Sequence, residues 1–176
     1  MGTWKNDDGL YIKYGTNEGT STHFAGEYED NQAGALCIEV VIDLTALTAT
    51  ETILNDAVWV PANALITKVE TFAIVGAATG TAIDVGLIDQ DRSTEIDYNG
   101  LLAAAPTANM NSVGETSVYQ VAVTIPTGLT GTGALVGTEV TNAGYISASR
   151  TDATAFTAGK IRLRVWYIPK GVDVTG

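Results

Sequence analysis

The sequence predicts an all-β protein, a jelly-roll-like antiparallel β-sandwich preceded by an extended N-terminal arm. Three observations carry this. From residue 36 onward, short runs of period-two apolar alternation recur, divided by Gly, Pro and Asn/Asp turn signals. Thr (25), Ala (23) and Gly (19) make up more than a third of the 176 residues, and Thr packs well on a pleated surface while Gly supplies tight turns. Helix signals are almost absent, and at 18.3 kDa one hydrophobic core suffices.

The elements follow in order. Residues 1–35 are rich in Gly, Asn, Asp and Glu, with one short alternating stretch at 10–14, and read as the arm. Trp4, Leu10, Tyr11, Tyr14, Phe24 and Tyr28 are too many large apolar and aromatic groups for a free tail, so the arm is expected to dock on its own body or on a neighbouring subunit. The body, 36–176, is read as one sandwich domain without a repeat or linker. Its first strand, 36–44 (LCIEVVIDL), places Leu36, Ile38, Val40, Ile42 and Leu44 on one face and Glu39 and Asp43 on the other. A short strand at 58–60 stops at Pro61. The long run 65–75 changes phase, with Lys68, Glu70, Phe72 and Ile74 sharing a face, and predicts a bulge or a strand passing from solvent to an interface. Strands at 82–89 and 117–125 bury Ile83, Val85, Leu87 and Tyr119, Val121, Val123, Ile125; weaker ones are expected at 135–141 and 144–149. The run 160–168 (KIRLRVWYI) closes the set. Residues 99–105 (NGLLAAA) are the one helix candidate, ended by Pro106.

Nine Lys and Arg against twenty Asp and Glu give a net charge of -11, the wrong sign for a phosphate backbone, so nucleic acid is not the expected partner. The charge is also polarised: two basic and ten acidic groups in residues 1–56, two and seven in 57–125, five and three in 126–176. In a jelly roll the first and last body strands are antiparallel neighbours. Glu39 and Asp43 are therefore expected opposite Lys160, Arg162 or Arg164, where such pairs help to set register. No apolar run has the length of a membrane span or a signal peptide, so synthesis in a cytoplasm is expected, and the single Cys37 offers no internal disulfide.

Catalytic chemistry finds little support. His23 is the one histidine and lies in the polar arm without a second histidine, a nucleophile elbow or a cysteine partner in sequence. Cys37 reads as a buried or interfacial thiol. The run Asp89, Asp91, Ser93, Glu95 opens like a calcium loop, but Thr94 stands where that loop needs Gly and Gly100 where it needs a bidentate Glu; the competing reading is a polar turn held by its own side chains. No cofactor is implied. Nothing in the spacing selects a carboxylate pair for glycoside hydrolysis, and Trp59 and Trp166 read as core or interface aromatics.

Four stretches resemble a known family: W-x-x-x-D-G-L-Y-I-K-Y-G (Trp4, Asp8, Gly9 and 10–15), V-P-A-N-A-L-I-T-K-V (60–69), G-L-I-D-Q-D (86–91) and G-K-I-R-L-R-V-W-Y (159–167). They are similar to the capsid decoration, or cement, proteins of tailed phages, of the marine and cyanobacterial type. The resemblance implies a non-enzymatic virion subunit, often a homotrimer, that sits outside the assembled shell and contacts the major capsid protein, without nucleic acid or membrane as partner. It offers no catalytic residue to carry over. On that expectation the arm set is the candidate capsid anchor, and Lys68, Glu70, Phe72 and Ile74 the candidate oligomer contact. The alternative is a carbohydrate- or host-surface-binding sandwich such as a head-fibre module, and a third reading is a hydrolase.

Overall fold

In the computed structural model of the chain, residues 3–5, 11–13, 24–30, 35–120 and 130–169 are described, the first three segments as backbone only. Alternation of apolar and polar residues becomes two packed antiparallel sheets. One contains β3 (Phe24–Asp30), β4 (Ala35–Asp43), β7 (Leu65–Thr79), β10 (Thr116–Gln120) and β12 (Phe156–Ile168) in the order β10-β7-β12-β4-β3. The other contains β5 (Thr52–Ile53), β6 (Trp59–Val60), β8 (Ala82–Asp89), β9 (Glu95–Pro106) and β11 (Gly144–Arg150) in the order β5-β11-β8-β9, with β6 also on β11. Counting β5 and β6 as one interrupted strand, eight body strands interleave as first-eighth-third-sixth and second-seventh-fourth-fifth. This is jelly-roll topology, and β3 extends the first sheet. A small hairpin pairs β1 (Thr3–Lys5) with β2 (Tyr11–Lys13).

Between the sheets, Ile38, Val40 and Ile42 of β4, Ile161, Leu163 and Val165 of β12, and Ile83, Val85 and Leu87 of β8 have no exposed surface. Leu44 turns inward from a 3-10 turn (Leu44–Ala46) capped by the Asp43 carboxylate, which accepts from the Thr45 N–H at 3.1 Å. Tyr119 is also fully buried, and its phenol oxygen accepts from Asn109 Nδ2 at 3.3 Å, which satisfies the polar end of an otherwise apolar ring.

The expected pairing of first and last body strands is observed, with Lys160 opposite Asp43, Arg162 opposite Val41 and Arg164 opposite Glu39. The β7–β12 pairing has four register shifts, two of which fall within the run 65–75: β12 steps from Trp166 to Tyr167 while β7 steps from Lys68 to Ile66, and from Lys160 to Ile161 while β7 steps from Val75 to Ala73. Thr67 and Ile74 are the residues passed over.

Two expectations are corrected. Residues 99–105 form no helix; they lie within β9, bonded to β8 on one side and on the other to residues 131–135 through Ala103 N to Gly131 O (2.8 Å) and Leu135 N to Gly100 O (2.8 Å). Seven residues are too few for a stable helix on alanine propensity alone, and Leu101, Leu102 and Ala105 are fully buried in the sandwich instead. Residues 135–141 form turns with a single bridge, Glu139 to Leu65, rather than a strand. Residues 121–125 lie outside the described residues.

Candidate functional site

The outward face of the first sheet gathers the side chains that alternation drives away from the core. Register lines them up in rows across the strands. Gln120, Lys68, Trp166 and Cys37 form one row, Val118, Glu70, Arg164 and Glu39 the next, and Thr116, Phe72, Arg162 and Val41 the third. Lys68 Nζ lies 2.7 Å from Glu70 Oε1 and 4.7 Å from the centre of the Trp166 ring, and Trp166 Nε1 donates to Glu70 Oε2 at 3.0 Å. Lysine, carboxylate and indole therefore fix one another. Burial alone would raise the Glu70 carboxyl, but hydrogen bonds from Lys68 and Trp166 and the charges of Lys68 and Arg164 outweigh it and hold it below the ordinary carboxylate range.

One row over, Glu39 takes two guanidiniums, Arg164 Nε at 2.9 Å and Arg162 Nε at 3.2 Å. The Arg162 guanidinium also sits 5.9 Å from the Phe72 ring centre. Phe72 (38% exposed), Val118 (37%) and Val75 (44%) remain open to solvent on large apolar side chains. The charged groups of this face thus pair with one another, while Phe72, Val118 and Val75 stay uncovered.

Of the residues singled out from sequence, Lys68, Glu70 and Phe72 share this face. Ile74 falls at the second irregularity and is half-buried, with Val75 the exposed neighbour. Trp166, Arg162 and Arg164 belong to the same cluster. From sequence Trp166 reads as core or interface and the two arginines as register-setting; only the pairing of β12 with β7 brings them to Glu70 and Phe72. Cys37 lies in this face's first row but is fully buried. Of the arm set, Trp4 and Tyr11 lie in the β1–β2 hairpin, while Phe24 and Tyr28 lie in β3 opposite Val41 and Cys37. Leu10, Tyr14 and His23 lie outside the described residues.

The run 89–95 forms a polar turn. Asp91 Oδ1 accepts from the backbone N–H of Ser93 (2.8 Å) and Thr94 (2.7 Å), and its Oδ2 accepts from the Thr94 hydroxyl (2.5 Å). The Thr94 hydroxyl first, then these backbone donors, lower the Asp91 carboxyl to about 2. Asp89 accepts from Asn142 Nδ2 (3.1 Å), and Glu95 from the Tyr98 N–H (3.3 Å). The carboxylates are turned to separate donors, and among the described residues no three His, Cys, Asp or Glu side chains are grouped to hold a metal ion. Nor is any helix of the described residues long and apolar enough to cross a membrane.

No family model and no curated protein matches the chain. Among solved structures, the chain is similar to one in the structure titled "Capsid of Ralstonia phage GP4", with a TM-score of 0.49 and 14% identity over 77% of this chain and 85% of that one. It is also similar to a chain in "Cyanophage Pam1 capsid asymmetric unit", with a TM-score of 0.41 and 16% identity over 94% of this chain and 98% of that one.

Proposed function

We propose that the protein is a non-enzymatic virion subunit that binds the outside of an assembled phage capsid and stabilises it, acting as a homotrimer. The observation that carries this reading is the outward face of the first sheet, where a self-satisfied Lys68–Glu70–Trp166 network and the Glu39–Arg162–Arg164 cluster frame the exposed side chains of Phe72 and Val118. Such a face is built to be covered by protein. The sequence resemblance to cement proteins supplies the partner, the major capsid protein. Residues 1–35 serve as an arm whose aromatic residues grip the shell or the next copy, with the acidic charge of the chain's first third oriented toward basic patches.

Co-sedimentation of the purified chain with expanded capsids, and its solution mass, test this directly. The chain should pellet with capsids and run as a trimer. Deleting residues 1–23, which spares β3, should abolish pelleting while leaving the sandwich folded, and Phe72→Asp should reduce the trimer to monomer. A truncated chain that still binds overturns the anchor assignment; a monomeric parent chain overturns the interface.

A further inference from the structure

The outer face of the second sheet carries a cleft of about 670 Å³, within the range of roughly 300–1,000 Å³ common for small-molecule pockets. Its floor follows from strand alternation. Ile83, Val85 and Leu87 point into the core, so Asp84 faces out into the cleft beside Ser149 of β11, while Gly86, beside Ser147, faces out beneath β9. Its wall follows from β9. Val85 pairs with Leu102 and Leu87 with Asp97, so Gly86 alone stands against the four residues 98–101. The surplus backbone rides over the glycine: a Cβ there would meet Asp97 O at 2.0 Å. The excursion carries Tyr98, 47% exposed, to the rim. Opposite, the segment leading into β5 brings Glu51, which accepts from the Ser147 hydroxyl.

The groups facing this cleft have unused hydrogen-bonding capacity. Asp84 is 8% exposed; one oxygen accepts the Ala104 N–H at 2.7 Å, and the other makes no hydrogen bond in the described structure. Ser149 is 6% exposed, lines the cleft, and its hydroxyl has no hydrogen-bond partner among the described residues. Both signs of charge are present. Glu51, Asp84 and Glu95 share the lining with Arg92, paired with Asp56 at 3.0 Å, and with Arg150, whose guanidinium donates to the carbonyls of Asp152 (3.2 Å) and Ala153 while its buried Nε has no hydrogen-bond partner. An anion would add to the burial and the neighbouring carboxylates that already raise Glu51. A cation would meet two guanidiniums in the lining.

We propose that this cleft binds a neutral saccharide. Sugar hydroxyls donate to Asp84 and exchange hydrogen bonds with Ser149, while the Tyr98 ring packs on the apolar face of a pyranose. The site is built on the second sheet alone and stands whether or not the chain sits on a capsid.

Ligand-observed NMR on the full chain tests it, with glucose, galactose, mannose and N-acetylglucosamine as probes and free arginine as the cationic competitor. At least one sugar should show saturation transfer at about 10 mM, the regime of a weak single-ring site. Tyr98→Ala and Ser149→Ala should each weaken it about tenfold, with unchanged thermal unfolding showing that they fold. Four silent sugars overturn the proposal. So does sugar binding indifferent to both substitutions, or displacement by arginine, which would reassign the cleft to a basic side chain.

Discussion

Gly86→Ala is the sharpest test of how the second sheet is held. The new methyl carbon would lie 2.0 Å from Asp97 O, 2.3 Å from Tyr98 C and 2.5 Å from Tyr98 O, whereas ordinary contact begins near 3.4 Å. Backbone must therefore move by more than 1 Å. On the β8 side Gly86 is held at the ladder position opposite Ser147 of β11, and on the β9 side Asp97 is paired with Leu87 and its carboxylate accepts the Asn99 N–H at 3.2 Å. Overpacking a well-filled site costs about 1–3 kcal/mol, and the obstacle here is main chain rather than a flexible side-chain tip, so about 3 kcal/mol is expected. For a domain of this size each kcal/mol lowers Tm by about 2–4 °C, which predicts a fall of roughly 6–12 °C. Thermal unfolding followed by circular dichroism, with urea titration for the free energy, measures it. A Tm within about 2 °C of the parent would refute the reasoning, because the excursion of β9 over Gly86 would then be free to lift away.

The other predictions concern the core and the charged face. Leu163→Ala, at a fully buried position on β12 between β7 and β4, should cost about 2–5 kcal/mol in urea unfolding with an unchanged m-value. A Glu39→Gln/Arg164→Gln double-mutant cycle should give a coupling of about 0.5–1 kcal/mol, as suits a half-exposed pair; a coupling of several kcal/mol would mean the face is covered in solution. Glu70 is held below its ordinary value of 4.5, so its stabilisation is present above that pH and is lost as pH falls through the depressed value; the parent should lose stability in this window faster than Glu70→Gln. Glu51 has the opposite sign. Burial raises it, so ionisation at neutral pH costs stability, and Glu51→Gln should raise Tm at pH 7 but not well below the unfolded value of 4.5, where the parent carboxyl is protonated in both states.

Local pattern was enough for the strands whose two faces differ sharply. In residues 36–44 the parity of Ile38, Val40, Ile42 and Leu44 is wholly apolar while Glu39 and Asp43 mark the other, and a one-residue slip would expose those core side chains; the same holds for residues 160–168. Opposite charges on their outer faces then made the β4–β12 pairing readable before any coordinates. Residues 99–105 misled because Ala and Leu favour helix in isolation, while strand bonds on both edges of β9 and burial of Leu101 and Leu102 decide otherwise. The charged face was half legible: Lys68, Glu70 and Phe72 declared themselves by their shared parity. Trp166 and the two arginines joined them only through a partner strand some 90 residues away in sequence.

The cleft was not legible at all. Glu51, Asp84, Tyr98 and Ser149 come from four separate segments, and none belongs to a motif. The sequence by itself determined the class of fold, the inward faces of β4, β8 and β12, and the pairing of first and last body strands, because these depend on period and charge along single segments. Tertiary structure alone decided which strands adjoin in the second sheet, where β9 departs from its partner to cross Gly86, and hence which polar side chains converge on one outer face. Convergence across strands depends on long-range register, and no local repeat of the chain encodes it.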